Sequence, residues 1–315
     1  MWGKMDKQAN RIFNIGADAI GSSRHQAKVE ARENGAIGHQ QMAKETGIFS
    51  HGTSNTYLPD WRGLAKFLLE EKGISDIEKV SNRNVKEYLL KRMRGVNKYS
   101  SFTKICSGIS KMSVAMNNYA KSENNEKVYN WDKVIKNCRR LAKQKLEKSE
   151  TGRGFANSQN VVDQVKKDNH QLVAQVQAET GCRIHEVVRI KQAQLRGIGK
   201  DPYNGKEAGV MNIRGKGGKF REVYLNPTTY NSLRDEISRN EGIMMVGKTS
   251  YTASIKEAAA YAGQRYTGTH DFRHAWVQCR YKEVAGMGYS ETQCLAAVSE
   301  EIGHVRPDIT KVYLK

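Results

Sequence analysis

The sequence predicts a mainly α-helical protein with one small antiparallel β-sheet in its C-terminal part, divided into two domains. Three observations carry this. Apolar residues recur at spacings of three and four over much of the chain, the period of helices with one buried face. Two short β-prone runs, residues 210–213 and 222–225, flank a Gly215-Lys216-Gly217-Gly218 turn, a hairpin pattern. Residues 147–154 are charged and glycine-bearing with no apolar residue, in a chain whose 315 residues exceed one small core.

Residues 1–48 are polar, and Gly16, Gly21, Gly35, Gly38 and Gly47 interrupt any period, so a loosely ordered or short-helical basic arm is expected there. From residue 54 the helical stripe is clear in Tyr57, Trp61, Leu64, Ala65, Leu68 and Leu69, and Gly73 ends it. Ser81 is placed to cap a second helix that turns Val85, Tyr88, Leu89 and Met93 inward. Ile105, Ile109, Met112, Met116 and Tyr119 mark a third helix, and residues 132–147 a densely basic fourth. Past the 147–154 boundary, Val161, Val162 and Val165, then Leu172, Val173 and Val176, suggest two helices leading into Thr180-Gly181. Helices are expected at 228–239, 252–262 and 271–285. Ser290 with Gln293 forms a capping box for another that closes at Gly303, and Pro307-Asp308 restarts a short helix carrying Tyr313.

The formal net charge of +19 points to a polyanionic partner, since such an excess repels itself unless neutralised. It is concentrated in the first half. No acidic residue lies between Glu87 and Glu123, and Lys133, Lys136, Arg139, Arg140, Lys143, Lys145 and Lys148 are interrupted only by Glu147. Five scattered cysteines without a CxxC pair argue for reduced thiols in a cytoplasm, against a disulfide framework or a zinc site. The histidines show no metal-ligand spacing, and no apolar run reaches the roughly 20 residues of a membrane span. No metal, cofactor or membrane is expected.

Six residues in the last part of the chain carry reactive chemistry, and each has a duller reading. Arg183 with Glu186 is either a surface helix pair or a guanidinium oriented to grip phosphate oxygens. Lys216, at a glycine-flanked hairpin tip, is either a solvated lysine or a general acid, with Lys219 and Arg221 as rivals. His270 and Arg273, one helical turn apart, either cap a helix or aim two donors at one anion, as an anionic transition state requires. His274, turned about 100° around that helix, reads as a structural core histidine. His304 after Gly303 either satisfies helix-end carbonyls or donates to an anion. Tyr313 either pins the tail or acts as a nucleophile, for which a phenol of pKa about 10 needs surrounding positive charge.

Together, in this order, these segments resemble the active site of the tyrosine recombinases, the phage-integrase family. Thr180-Gly181-Cys182-Arg183-Ile184-His185-Glu186 is similar to the family's first box, Gly215 through Arg221 to its lysine hairpin, Thr269 through His274 to its second box, and Gly303-His304 through Tyr313 to its last. The resemblance implies a two-domain DNA clamp: residues 1–48 an N-terminal arm, 49–148 an α-helical core DNA-binding domain, and 153–315 the catalytic domain. Tyr313 would attack the scissile phosphate to leave a 3′-phosphotyrosyl link. Arg183 and Arg273 would hold the non-bridging oxygens, Lys216 would protonate the leaving 5′-oxygen, His270 would assist the tyrosine and His304 would bond the phosphate. Glu186 would support the first arginine. Neither ATP nor a metal is required. The implied partners are double-stranded DNA carrying recombination sites, further copies of the chain in a tetramer, and DNA-bending accessory proteins. The expected role is an integrase-like site-specific recombinase of a phage or mobile element. Alternatives are a telomere resolvase, a type IB topoisomerase-like strand transferase, or a non-catalytic DNA-binding regulator on the same fold.

Overall fold

The computed structural model describes residues 1, 3–148, 152–215, 218, 220–304 and 306–314, the side chains of residues 39 and 40 excepted. The chain divides into two compact units, Met1–Ser149 and Glu150–Lys315, each with its own apolar core.

The first unit is all helical: α1 (Met5–Gly16), α2 (Arg24–Glu33), α3 (Gly38–Glu45), α4 (His51–Lys72), α5 (Asn82–Arg94), α6 (Tyr99–Ser122) and α7 (Asp132–Lys145). The long α6 is its axis, packing on α1, α4 and α7. Gly73 ends α4 in the left-handed conformation, and Ser81 with Asn84 forms a capping box at the start of α5. Of the two expectations for residues 1–48, the short-helical one holds and the loosely ordered, flexible arm is corrected. Met5, Ala9, Ile12 and Phe13 of α1 lie in the core of the unit, at the spacing of one helix face. The glycines fall at the ends of α1–α3 or between them, so they punctuate three helices instead of breaking one. Buried Gln8 fastens α1: its amide donates to the carbonyls of Gly3 and Ser75 at 2.8 Å and its oxygen accepts from the Ile77 N–H at 2.9 Å. Lys111 of α6 donates to the carbonyls of Ala43 and Thr46 at the end of α3, and burial pushes its pKa down to about 8.

The second unit comprises α8 (Ser158–Asp163), α9 (Asp168–Thr180), α10 (Ile184–Val187), β1 (Arg189–Lys191), β2 (Leu195–Lys200), β3 (Glu207–Arg214), β4 (Phe220–Leu225), α11 (Pro227–Arg239), β5 (Ile243–Met245), α12 (Lys248–Tyr261), α13 (His270–Gly286), α14 (Glu291–Glu301) and a 3-10 segment, Pro307–Val312. The hairpin is there, with Met211 opposite Val223 and Ile213 opposite Arg221. It is part of a three-stranded antiparallel sheet in the order β2-β3-β4, and β1 pairs with β5 in a second sheet. Met211, Ile213, Val223 and Leu225 point into the core, while β2, with two glycines and no fully buried residue, has too weak an alternation to read. Among the described residues no helix is long and apolar enough to cross a membrane.

Candidate active site

Two helix ends build the floor of the site. α9 stops at Gly181, whose φ of +61° suits glycine, and a Cβ there would meet the Trp276 ring at 2.7 Å. α14 stops in a Schellman turn: the Gly303 N–H donates to Glu300 O at 2.8 Å and the His304 N–H to Ser299 O at 2.8 Å, with Gly303 at φ +68°. Both ends present unpaired carbonyls, and the fully buried Arg273 takes one from each, donating to Gly181 O at 2.8 Å and Ile302 O at 2.6 Å. Its guanidinium plane is thereby fixed. Its Nε has no hydrogen-bond partner among the described residues. Burial, then the charge of Arg183, press the Arg273 pKa below its ordinary value, as expected of a cation in a place that favours an added anion.

Arg183 sits at the N-cap of α10. Glu186 accepts from its backbone N–H at 2.8 Å and from its Nη1 at 3.1 Å, so the pair is one turn held at both ends. The Glu186 side chain is only 6% exposed. Burial favours its neutral form, but the hydrogen bond and charge of Arg221, then those of Arg183, outweigh it and hold the carboxyl below its ordinary pKa. Arg183, a quarter exposed, reaches outward, its Nη2 3.5 Å from His304 Nε2.

Tyr313 closes the site. It follows the 3-10 segment, its carbonyl accepts from Gln278 at 3.0 Å, and it is 8% exposed. Its hydroxyl lies 3.4 Å from His270 Nε2 and 3.5 Å from His304 Nε2, and the Arg273 guanidinium carbon is 5.7 Å from its ring centre. Burial, followed by neighbouring arginine charge, pushes both imidazoles down to about 4, so they are neutral at pH 7 and can accept as well as donate. His270 opens α13 below a loop drawn together by buried Asp271, which accepts from Thr267 N at 2.6 Å, Thr267 Oγ1 at 2.6 Å and Gly268 N at 3.2 Å.

Of the six expected residues, Arg183, His270, Arg273, His304 and Tyr313 converge in this way; Lys216, like its rival Lys219, lies outside the described residues. Arg221, the other rival, is buried and engaged by Glu186. His274 is buried, as expected, but its Nδ1 has no hydrogen-bond partner among the described residues and its ring packs on Tyr313 at 4.6 Å. Its place around the helix gave no sign of this, because Tyr313 reaches α13 from a segment remote in sequence.

No protein-family model and no curated protein sequence matches the chain. Solved structures do. The XerH site-specific recombinase bound to difH substrate matches with a TM-score of 0.66 and 16% identity, over 98% of this chain and 91% of that one. The fold is that of the tyrosine recombinases. A lambda integrase dimer bound to a COC′ core site matches at TM-score 0.55 and 11% identity, over 98% and 81% of the two chains. The Tn1549 transposon integrase in complex with transposon right-end DNA matches at 0.53 and 14%, over 92% and 94%. The mainly helical tyrosine recombinase architecture with a small antiparallel sheet in the second unit is therefore as the sequence led one to expect, and the two-stranded second sheet was not expected.

Proposed function

We propose that this chain is a site-specific DNA recombinase that cleaves and rejoins DNA through Tyr313. The observation carrying this reading is the placing of the Tyr313 hydroxyl within 3.5 Å of two neutral imidazoles, beside a buried arginine with an unpartnered Nε. In the proposed step the tyrosine oxygen bonds to the scissile phosphorus and the bond to the 5′-oxygen breaks. The phenol proton passes to His270, whose neutral form can take it, and the leaving oxygen takes a proton from Lys216. Arg183 and Arg273 hold the non-bridging oxygens, where charge builds in the transition state. The incoming 5′-hydroxyl of a second strand reverses the step, so the bond's free energy is kept in the phosphotyrosyl link.

Double-stranded DNA is the proposed partner, with the basic helices of the first unit adding a second DNA-binding surface and further copies of the chain completing a recombination complex. The exposed lysines and arginines of α7 support this role for residues 49–148, and the converged site supports a catalytic role for 153–315. The test uses a pool of nicked suicide duplexes, with wild type and Tyr313→Phe in EDTA and without ATP. A denaturant-resistant protein–DNA adduct with wild type alone is expected. Binding without any adduct would leave a DNA-binding regulator, and plasmid relaxation with no site preference would point to a topoisomerase-like enzyme.

A further inference from the structure

We propose that Arg221 is a positioning residue that ties the β3–β4 hairpin to the phosphate-gripping arginines; this rests on the strand-transfer reading above. Arg221 is the second residue of β4, paired with Ile213 next to the last strand pair, Arg214 with Phe220. Its guanidinium runs away from the hairpin into the floor of the site and is only 6% exposed. Nη2 donates to Glu186 Oε2 at 2.7 Å and lies 3.5 Å from Cys182 Sγ, Nη1 donates to Glu186 Oε1 at 3.3 Å, and Nε donates to Glu301 O at 2.7 Å. One side chain thus joins three segments: the turn that presents Arg183, the end of α14 that presents His304, and the hairpin.

Glu186 is satisfied from two sides. Each of its two oxygens accepts from Arg183 on one side and from Arg221 on the other. Without the Arg221 pair, burial would act on Glu186 unopposed by its strongest partner, and its hold on Arg183 would loosen. A lysine does not reproduce this, because its donors share one nitrogen, whereas the planar fork sets separate nitrogens against the two Glu186 oxygens and the Glu301 carbonyl. Gly303 leaves room for this arrangement, since a Cβ there would come within 3.3–3.4 Å of the Arg221 side chain. Arg221 touches no reacting atom; it acts through Arg183 and the His304 turn.

The test separates this role from leaving-group protonation. Adduct formation is timed on a nicked suicide duplex and on the same duplex with sulfur replacing the bridging 5′-oxygen, which departs as a thiolate without needing a proton. Arg221→Lys and Glu186→Gln are each expected to slow both substrates by roughly 10²-fold. The double variant should be no slower than about the worse single one, since the two residues act as a unit. The melting temperature should fall, since a buried ion pair is disturbed, DNA affinity of the folded variants should stay near wild type, and Lys216→Ala, as the control, should be rescued by sulfur. Rescue of Arg221→Lys by sulfur would overturn the proposal, as would multiplying defects in the double variant or wild-type rates in a folded Arg221→Lys. Should Arg221→Lys fail to fold, Glu186→Gln alone decides by the same comparison: equal slowing supports, sulfur rescue or an unchanged rate overturns. No adduct from wild type on either substrate would instead sink the strand-transfer reading, and this proposal with it.

Discussion

Three imidazoles surround the Tyr313 ring, and two of them are held neutral in a way that pH can probe. The folded protein resists protonating His270 and His304 until about pH 4, whereas an unfolded chain takes those protons near its ordinary value of 6.5. Stability from this source is complete above about pH 6.5 and is lost as pH falls toward 4. The melting temperature should therefore drop between pH 7 and pH 5, and drop less in a His270→Asn/His304→Asn variant. A bound phosphate favours the charged imidazoles, so DNA affinity at fixed salt should rise as pH falls from 7 to 5.5, and the same variant should flatten that rise. Arg273 tests the anion site from the other side. In the proposed reaction Arg273→Ala removes a fixed donor and should slow adduct formation by about 10²–10³-fold, read on the suicide duplex.

Helix ends, more than helix faces, place the reactive groups. Gly303→Ala forces a side chain into a left-handed position and against Arg221. It should cost about 1–2 kcal/mol in chemical denaturation and slow adduct formation by displacing His304. The capping boxes, the αL glycines and the hairpin could be read from single residues because each depends on local backbone geometry. Residues 1–48 could not, because α1 owes its helix to packing on α6, a partner remote in sequence. Ile12→Ala distinguishes the two views: a core residue should cost about 2–5 kcal/mol of unfolding free energy, and an arm residue almost none. The same limit hid the second sheet, whose strands are three residues each, and the role of Arg221, which depends on β4 and α10 meeting. The order of the site residues and the pairing of Glu186 with Arg183 were legible in the sequence. The carbonyls that fix Arg273 and the reach of Arg221 were not.

At the scale of the whole molecule the charge is uneven, with α7 exposing Lys133, Lys136, Arg140 and Lys143 around a thin apolar stripe. Changing these four to Gln should weaken DNA binding and flatten its salt dependence, the slope of log K against log salt falling by about 0.9 for every phosphate no longer neutralised. Chemistry at saturating DNA should be unaffected. Each unit has a core of its own, so these surface changes should leave the melting of the second unit where it was. The enclosure of Tyr313 has a further bearing on direction. With its ring packed on His274 and only 8% of the residue exposed, the tyrosine is held in one orientation, so a phosphate joined to it would be displaced from the opposite face, the place the 5′-hydroxyl left. In the proposed covalent state that face is where a returning strand end enters, so the tyrosine side fixes the direction of rejoining and the DNA side sets its timing.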